Sequence, residues 1–504
     1  MSHENSSQLT HDSYWIRDAP MTQRFETLKG IHTSEIAVLG GGITGMSTAL
    51  ELIERGYKMT VLEALVIGGG TTGGSTGHLD AHHESWPRRL LKDLGEEKAR
   101  KATKYRLDAI DAIEEMANNS CDFKRVSAFS YTQRAPDSST LQEEFAAART
   151  IGLNVTWRED VPLPFDATGY EIAHMGRIDS MAYLNRLVER FIEKGGIIFE
   201  RSVASSPVDE HPKELKVGEG VIRFEQVVCA VHCNYTGALR IYLQTLAYQS
   251  YVMAVRVKNP GEDALFWDNS EHYYYTRRAN SREDDLLLIG GCDHRTGVSS
   301  SRRAQQELLD WVSTRYKVDE IASEWSAELY EPVDGLPIIG KVPGKENVWI
   351  ATGLSGVGLT WGTAAGRILA DQIEGKTTDL EDDLSPSRFG LGGVFTMASE
   401  QISTTANLAE RVLPSHKIDV SSIKPGEGMV GLVDENFTAV CRDLEGTTHA
   451  RNPICVHMGG VVHWNEVEQT WDCPFHGGRY AACGARLYSP PESGLVAPGE
   501  PPEE

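Results

Sequence analysis

The sequence predicts an α/β body in which a parallel sheet interleaves with a mostly antiparallel one, followed by a small C-terminal all-β domain. Three observations predict it. Residues 35–63 read as strand, glycine turn, helix and strand within about 30 residues, the size of a βαβ unit. The strand–turn–helix form returns at 347–373. From residue 418 onward, short apolar runs are punctuated by Gly and Pro, the texture of a small β domain.

Residues 1–34 carry few periodic apolar positions and read as an N-terminal arm. Glu35-Ile-Ala-Val-Leu39 is a short buried strand, 40–42 a tight turn, and 43–55 a helix with apolar residues at helical spacing, closed by Gly56. Residues 58–63 form a second apolar strand. The run 88–119 is charged and helix-favouring, broken only by Gly95, and should cover the sheet. An amphipathic helix is expected within 176–194, with strands at 197–199 and 226–231. Strand-rich segments at 248–257, 273–276 and 286–289 predict a separate antiparallel sheet over roughly 245–330. A strand at 347–352, a glycine turn at 353–358 and a helix at 359–373 complete a body spanning 35–390. A connector is expected at 391–410, the β domain at 411–490, and an acidic, Pro-rich tail without a packed core at 491–504.

The chain has 504 residues and a formal charge of −23, from 49 Lys+Arg against 72 Asp+Glu. An acidic field of that size repels phosphate backbones and anionic lipid, so nucleic acid is not an expected partner. No run reaches the roughly 18 apolar residues of a membrane span, and residues 1–18 hold no apolar signal core, so a cytoplasmic location is expected. Eight cysteines are too sparse for a disulfide scaffold. Cys121, Cys229, Cys233 and Cys292 read as buried thiols, whereas Cys441, Cys455, Cys473 and Cys483 crowd the C-terminal domain.

Gly40-Gly41-Gly42-Ile43-Thr44-Gly45 satisfies G-x-G-x-x-G between a strand and a helix, the Rossmann-like context that separates this match from a merely structural glycine turn. Gly40 permits the turn, Gly42 lets backbone approach a pyrophosphate, and Gly45 lets helix and strand pack closely. Glu63, at the end of the second strand, would accept hydrogen bonds from an adenosine ribose. The motif alone does not separate NAD from FAD. Two glycine-rich segments, 68–77 and 353–358, could supply backbone donors to the second half of a long cofactor. Further glycine matches at 68–73 and 426–431 open no helix within a βαβ unit, so a separate NAD site is not expected.

Together with Gly176-Arg-Ile-Asp179 and Val333-Asp-Gly-Leu-Pro-Ile-Ile-Gly340 ahead of Ala351-Thr-Gly353, these features resemble the FAD-dependent D-amino-acid oxidase superfamily, which includes glycine, sarcosine and γ-glutamylputrescine oxidases. The resemblance implies an extended FAD. Gly40, Gly42, Ile43, Thr44 and Gly45 would lie at the pyrophosphate, Glu63 at the ribose and Val203 near the adenine. Thr72, Gly73, Gly74 and Ser75 would approach the flavin from one side, and Gly356, Val357, Gly358, Leu359 and Thr360 from the other. The helix after Gly358 would aim its positive end at the flavin N1–C2=O edge. No cysteine stands between 331 and 340, so noncovalent FAD is expected, although His78 lies one position from the flavin-linked histidine of some relatives. The implied substrate pocket brings in Tyr273, Tyr275, Arg277, His294 and Trp361, with Arg277 the candidate partner of a substrate carboxylate. His78, His82 and His83 are candidate acids or bases.

Cys455-Val-His457 and Cys473-Pro-Phe-His476, separated by residues 458–472, resemble the Rieske [2Fe–2S] pattern, in which two thiolates hold one iron and two imidazoles the other. Tetrahedral zinc is the competing reading of this donor set. The neighbours Trp471-Asp-Cys-Pro474 and His476-Gly-Gly-Arg-Tyr480 favour the cluster. The resemblance places Gly460 and Phe475 where respiratory Rieske domains carry a disulfide, and Gly478 where they carry a serine. Fewer bonds to the cluster would set its potential toward the lower part of the roughly −150 to +300 mV range. Cys441 and Cys483 fall outside the motif.

FAD takes two electrons from a C–H beside nitrogen, and a [2Fe–2S] cluster carries one. The combination implies a dehydrogenase of a small amine or amino acid, with electrons relayed between FAD and the cluster and an external acceptor or donor, a protein among the candidates. The alternative is an electron-transfer or reductase component working in the opposite direction for a partner enzyme. A Rieske oxygenase in cis is not expected, because the 28 residues after His476 are too few for a mononuclear iron domain. With the cofactors in separate units, Cys473→Ser is expected to remove the cluster and leave FAD bound.

Overall fold

A computed structural model describes residues 13–18, 21, 23–81, 86–133, 138–270, 273–298, 300–388 and 417–501. The expected connector at 391–410 and the pair His82 and His83 lie outside the described residues. The central sheet has six strands in the order Ile338–Lys341, Val348–Thr352, Gln226–Cys229, Ile36–Leu39, Met59–Leu62, Ile197–Phe199. Its neighbours pair in parallel except at the first pair, which is antiparallel. Every residue of Ile36–Leu39 and Met59–Leu62 is buried, as strands covered on both faces require. Helices Ile43–Glu54 and Gly358–Ile373 lie side by side, and a β-carbon at Gly366 would come within 2.8 Å of the Ser47 backbone.

The second sheet has nine strands and draws on more of the chain than 245–330. Its path runs Val318–Pro332, Thr245–Val257, Leu286–Arg295, Tyr274–Arg278, Leu265–Asp268, Lys124–Thr132, Thr168–Arg177, His78–Leu79, with Val155–Arg158 paired to Thr168–Arg177. The upstream strands join through a parallel pairing of Leu265–Asp268 with Lys124–Thr132. The long helix Pro87–Ala117 is interrupted at Gly95, whose φ of 75° no helix accommodates.

Part of the N-terminal arm is integral to the body. Tyr14–Asp18 is helical, Trp15 is fully buried, and the Ser13 hydroxyl donates to the Gly73 carbonyl at 2.5 Å. The C-terminal domain pairs a sheet of Gly428–Val433, Asn436–Arg442 and Thr448–Arg451 with one of His463–Asn465, Thr470–Asp472, Arg479–Ala481 and Arg486–Tyr488. Its core holds Cys441, Trp471 and Tyr480. Residues 491–501 are not a loose tail: Leu495 is buried in that core, and its N–H donates to the Gly484 carbonyl at 2.8 Å. Cys229, Cys233 and Cys292 are buried, whereas Cys121 is half-buried. No helix among the described residues is long and apolar enough to cross a membrane.

Candidate active site and iron–sulfur centre

The helix Ile43–Glu54 begins at Gly42 with no side-chain cap; the Ile43 N–H donates to Thr72 Oγ1 at 3.1 Å. A β-carbon at Gly45 would collide with the Gly40 carbonyl, so only glycine lets the helix sit this close to the strand end. Glu63 accepts from the N–H groups of Gly41 and Leu65, each at 2.8 Å; burial raises its pKa and these bonds oppose the rise.

Two adjoining cavities open here. Gly40, Gly42, Glu63 and Gly70 line the first; Gly74, Ser75 and Gly356 to Leu359 line the second; Ile43, Thr44, Thr72 and His232 line both, so the two lie side by side. The helix Gly358–Ile373 also lacks a side-chain cap and starts on the second cavity. Two helix N-termini opening on these neighbouring cavities, with a carboxylate at one end, fit the extended flavin dinucleotide, which the lining residues would hold. Gly45, Gly73 and Thr360 stand behind this wall: Gly73 packs on Ile16, and the Thr360 hydroxyl donates to the Val357 carbonyl at 3.1 Å. Val203 is not part of the lining; its carbonyl accepts from the Gly218 N–H.

On the substrate side, Tyr275 and His78 line the second cavity with Tyr273 and Trp267. The His78 ring packs 4.9 Å from Trp267 and 5.2 Å from Tyr275, and its Nδ1 contacts Thr76 Oγ1 at 3.0 Å. Three expectations need correction. Arg277 does not face the cavity. It is fully buried beneath Trp15, and its guanidinium donates to the carbonyls of Thr76, Ile178, Arg278 and Ala279. Burial lowers its pKa to about 9, and four carbonyl oxygens keep the charge in place at neutral pH. His294 lies outside the cavity, its ring 5.5 Å from Tyr251 and its Nδ1 on the Arg295 carbonyl. Trp361 packs toward Tyr105, away from the chamber.

The motif Gly176-Arg-Ile-Asp179 builds the scaffold. Arg177 is buried against Asp263 and Asp122, and Asp179 caps the helix Ser180–Glu193 by accepting from the Met181 and Ala182 N–H groups. Burial raises the Asp179 pKa to about 6. Among the cavity residues that the sequence reading missed are His232, Trp267, Asp293 and Glu328. Each stands in or just beyond a strand, where spacing carries no signal of a site. The His232 ring nitrogen Nε2 meets the Glu328 carbonyl at 2.9 Å, and burial lowers its pKa to about 4. Glu328 is fully buried, and burial holds its carboxyl well above the usual range.

In the C-terminal domain the two ligand loops repeat one bonding scheme. The Cys455 N–H donates to the Gly460 carbonyl and the Cys473 N–H to the Gly478 carbonyl, each at 2.8 Å. The backbone N–H groups of His457 and Met458 point at the Cys455 sulfur, and those of Phe475 and His476 at the Cys473 sulfur. The thiols are buried as a pair, and the His457 and His476 rings stand 5.1 Å apart. His476 Nδ1 is buried with no hydrogen-bond partner among the described residues. Two thiols with two imidazoles, one bearing an orphaned inward nitrogen, fit a [2Fe–2S] cluster held by Cys455, Cys473, His457 and His476. A β-carbon at Gly460 would meet Cys473 Sγ and the Phe475 ring at 3.0 Å each, so these positions do adjoin. Tyr480 adds a contact that the sequence reading missed, its hydroxyl 3.0 Å from Cys455 Sγ. That bond opposes the low potential expected from Gly478.

The cluster loops rest on the body. His457 Nε2 meets the Tyr242 hydroxyl at 2.9 Å, and the Tyr330 hydroxyl donates to the His476 carbonyl at 2.8 Å. Tyr330 also packs 4.9 Å from the His232 ring, which lines the flavin cavity. Farther along, Arg486, Leu487 and Tyr488, on the last strand of the C-terminal domain, and Ser489 just after it line the first cavity opposite Glu63 and Gly70. The two units therefore build one site.

The sequence pattern of the family described as FAD dependent oxidoreductase matches residues 35–372, and that of the Rieske [2Fe-2S] domain matches 416–497. The Rieske match decides for the diiron cluster over zinc. The Rieske 2Fe-2S iron-sulfur protein YhfW of Bacillus subtilis is 26% identical over 499 residues, covering 97% of this chain and 98% of its own. Gamma-glutamylputrescine oxidoreductase of Escherichia coli is 23% identical over 72% of this chain and 89% of its own. Among solved structures, glycine oxidase from Geobacillus kaustophilus superposes with a TM-score of 0.58 at 19% identity, covering 71% of this chain and 100% of its own.

Proposed function

The chain belongs to the FAD dependent oxidoreductase family and carries a Rieske [2Fe-2S] domain, and we propose that it oxidises a C–N bond of a small amine or amino acid and relays the electrons from FAD through the cluster to an external one-electron acceptor. Relatives named for glycine and γ-glutamylputrescine oxidation support the substrate class. The observation that carries the relay is the docking of both cluster histidines on the body through Tyr242 and Tyr330, the latter packed against His232, which lines both cavities. A cluster serving an unrelated purpose has no reason to bury its histidine edge there.

The chemistry FAD would supply when held by these residues is acceptance of a hydride from the carbon beside a neutral amine nitrogen, giving an iminium that water hydrolyses to a carbonyl and an ammonium ion. The remaining work belongs to the chain. Tyr273, Tyr275, Trp267 and His78 wall the chamber. His232, neutral above about pH 4, holds the Glu328 backbone between the two cofactor sites. The uncapped start of Gly358–Ile373 directs positive potential into the chamber, which favours negative charge arising there.

The test is anaerobic mixing with candidate amines, read at the flavin absorbance and then by electron paramagnetic resonance of the reduced cluster. Bleaching followed by the cluster signal is expected. Bleaching with a cluster that stays oxidised would overturn the relay. Reduction only by a redox protein, with no amine effective, would favour the reverse direction of flow.

A further inference from the structure

Resting on the reading above, we propose that the chamber binds an organic amine as its ammonium ion, bearing no carboxylate on the carbon beside nitrogen, and turns α-amino acids away; the ammonium gives its extra proton to water before the hydride leaves. The wall is aromatic on one side. Trp267 and Tyr275 lie 4.9 Å apart, and Tyr273 continues the face, 6.2 Å from Tyr275 at an interplanar angle of 27°. Tyr275 is fixed against Gly290 on the paired strand, where a β-carbon would collide with its ring. Aromatic faces attract a cation that has shed its water.

The polar groups of the wall point to the same charge. Asp293 lines the chamber and accepts the Tyr273 hydroxyl proton in a hydrogen bond. Asp80 lines it as well, paired with Arg106. Among the described residues that line the chamber there is no lysine or arginine. The arginines of the adjoining strands are engaged elsewhere: Arg277 on four backbone carbonyls and Arg295 over the Tyr248 ring. Beside Asp293 a substrate carboxylate would meet no cationic side chain among the described lining residues, with only the helix start at Gly358 to favour it, whereas an ammonium would meet both aromatic faces and carboxylate.

The test uses the purified holoprotein and paired compounds differing only in the carboxylate: ethylamine with alanine, pyrrolidine with proline, dimethylamine with sarcosine. Tetramethylammonium and acetate serve as non-reacting probes, with binding read by perturbation of the flavin band and by the thermal midpoint. Tetramethylammonium is expected to bind at least ten-fold tighter than acetate. The amine of at least one pair is expected to reduce the flavin at least 100-fold faster than its amino acid. Asp293→Asn is expected to weaken tetramethylammonium binding about ten-fold at unchanged flavin content. Acetate binding tighter, an amino acid outpacing its amine, or an unchanged tetramethylammonium affinity in Asp293→Asn would each overturn the proposal. If no compound reduces the flavin, the reading of C–N oxidation falls, and the two probes still decide which charge the chamber prefers.

Discussion

The hydroxyl of Tyr330 donates to the backbone carbonyl of His476 at 2.8 Å, joining the long strand Val318–Pro332 of the body to a ligand loop of the cluster. Tyr330 is buried, so this bond is made away from water, where a lost partner leaves a carbonyl unsatisfied.

Tyr330→Phe should therefore destabilise the docked state by about 1–3 kcal/mol. FAD and iron content should remain, while the delay between flavin bleaching and the cluster signal lengthens in rapid-freeze resonance experiments. An unchanged delay would remove Tyr330 from any role in holding the two centres together.

Gly477 follows His476 with a φ of 73°, and a β-carbon there would fall on Glu328 Oε1 and 2.5 Å from the Tyr330 hydroxyl. Gly477→Ala should push the loop off the body, combining left-handed strain of about 1 kcal/mol with a steric clash. Slower transfer between the centres is expected, with iron retained. Transfer at the normal rate would mean that the interface repacks at no cost.

Arg486 alters the expectation that the cofactors are independent. Because Arg486 and Tyr488 line the cavity that also holds Gly42 and Glu63, the C-terminal domain completes the flavin site. Arg486→Met should lower the FAD retained per protein on gel filtration at least several-fold, with iron content unchanged. Cys473→Ser should likewise weaken FAD retention once the cluster loops loosen. Full flavin content in both variants would restore independence of the sites.

His232 gives a pH dependence of definite sign. Its pKa falls from about 6.5 in the unfolded chain to about 4 when folded, so the unfolded state binds more protons between those values. Its contribution is fully present above pH 6.5 and is lost as pH falls through 4, a change of roughly 3 kcal/mol at most. Thermal midpoints of the protein and of His232→Gln should diverge at neutral pH and converge toward pH 4. Parallel midpoint curves would assign the acid sensitivity to other groups.

The sequence by itself determined the elements and the chemistry held in local motifs. The βαβ unit at 35–63, its uncapped helix start and the Cys455/His457 and Cys473/His476 ligand loops are each specified within a few residues by glycine geometry and donor spacing. What lies between distant segments had no such signature. The resemblance made Arg277 the candidate anion partner, and it shares the strand face of Tyr275, but alternation does not say how far along that face the cavity reaches, and its guanidinium turned to the carbonyls beneath Trp15. Only the tertiary structure brought Asp293, Trp267 and Glu328 to one chamber and set Tyr242, Tyr330 and Arg486 at the seam between the domains. Those neighbours are fixed by how two sheets and a small β domain pack, a free energy shared across many long-range contacts and written in no single stretch of chain.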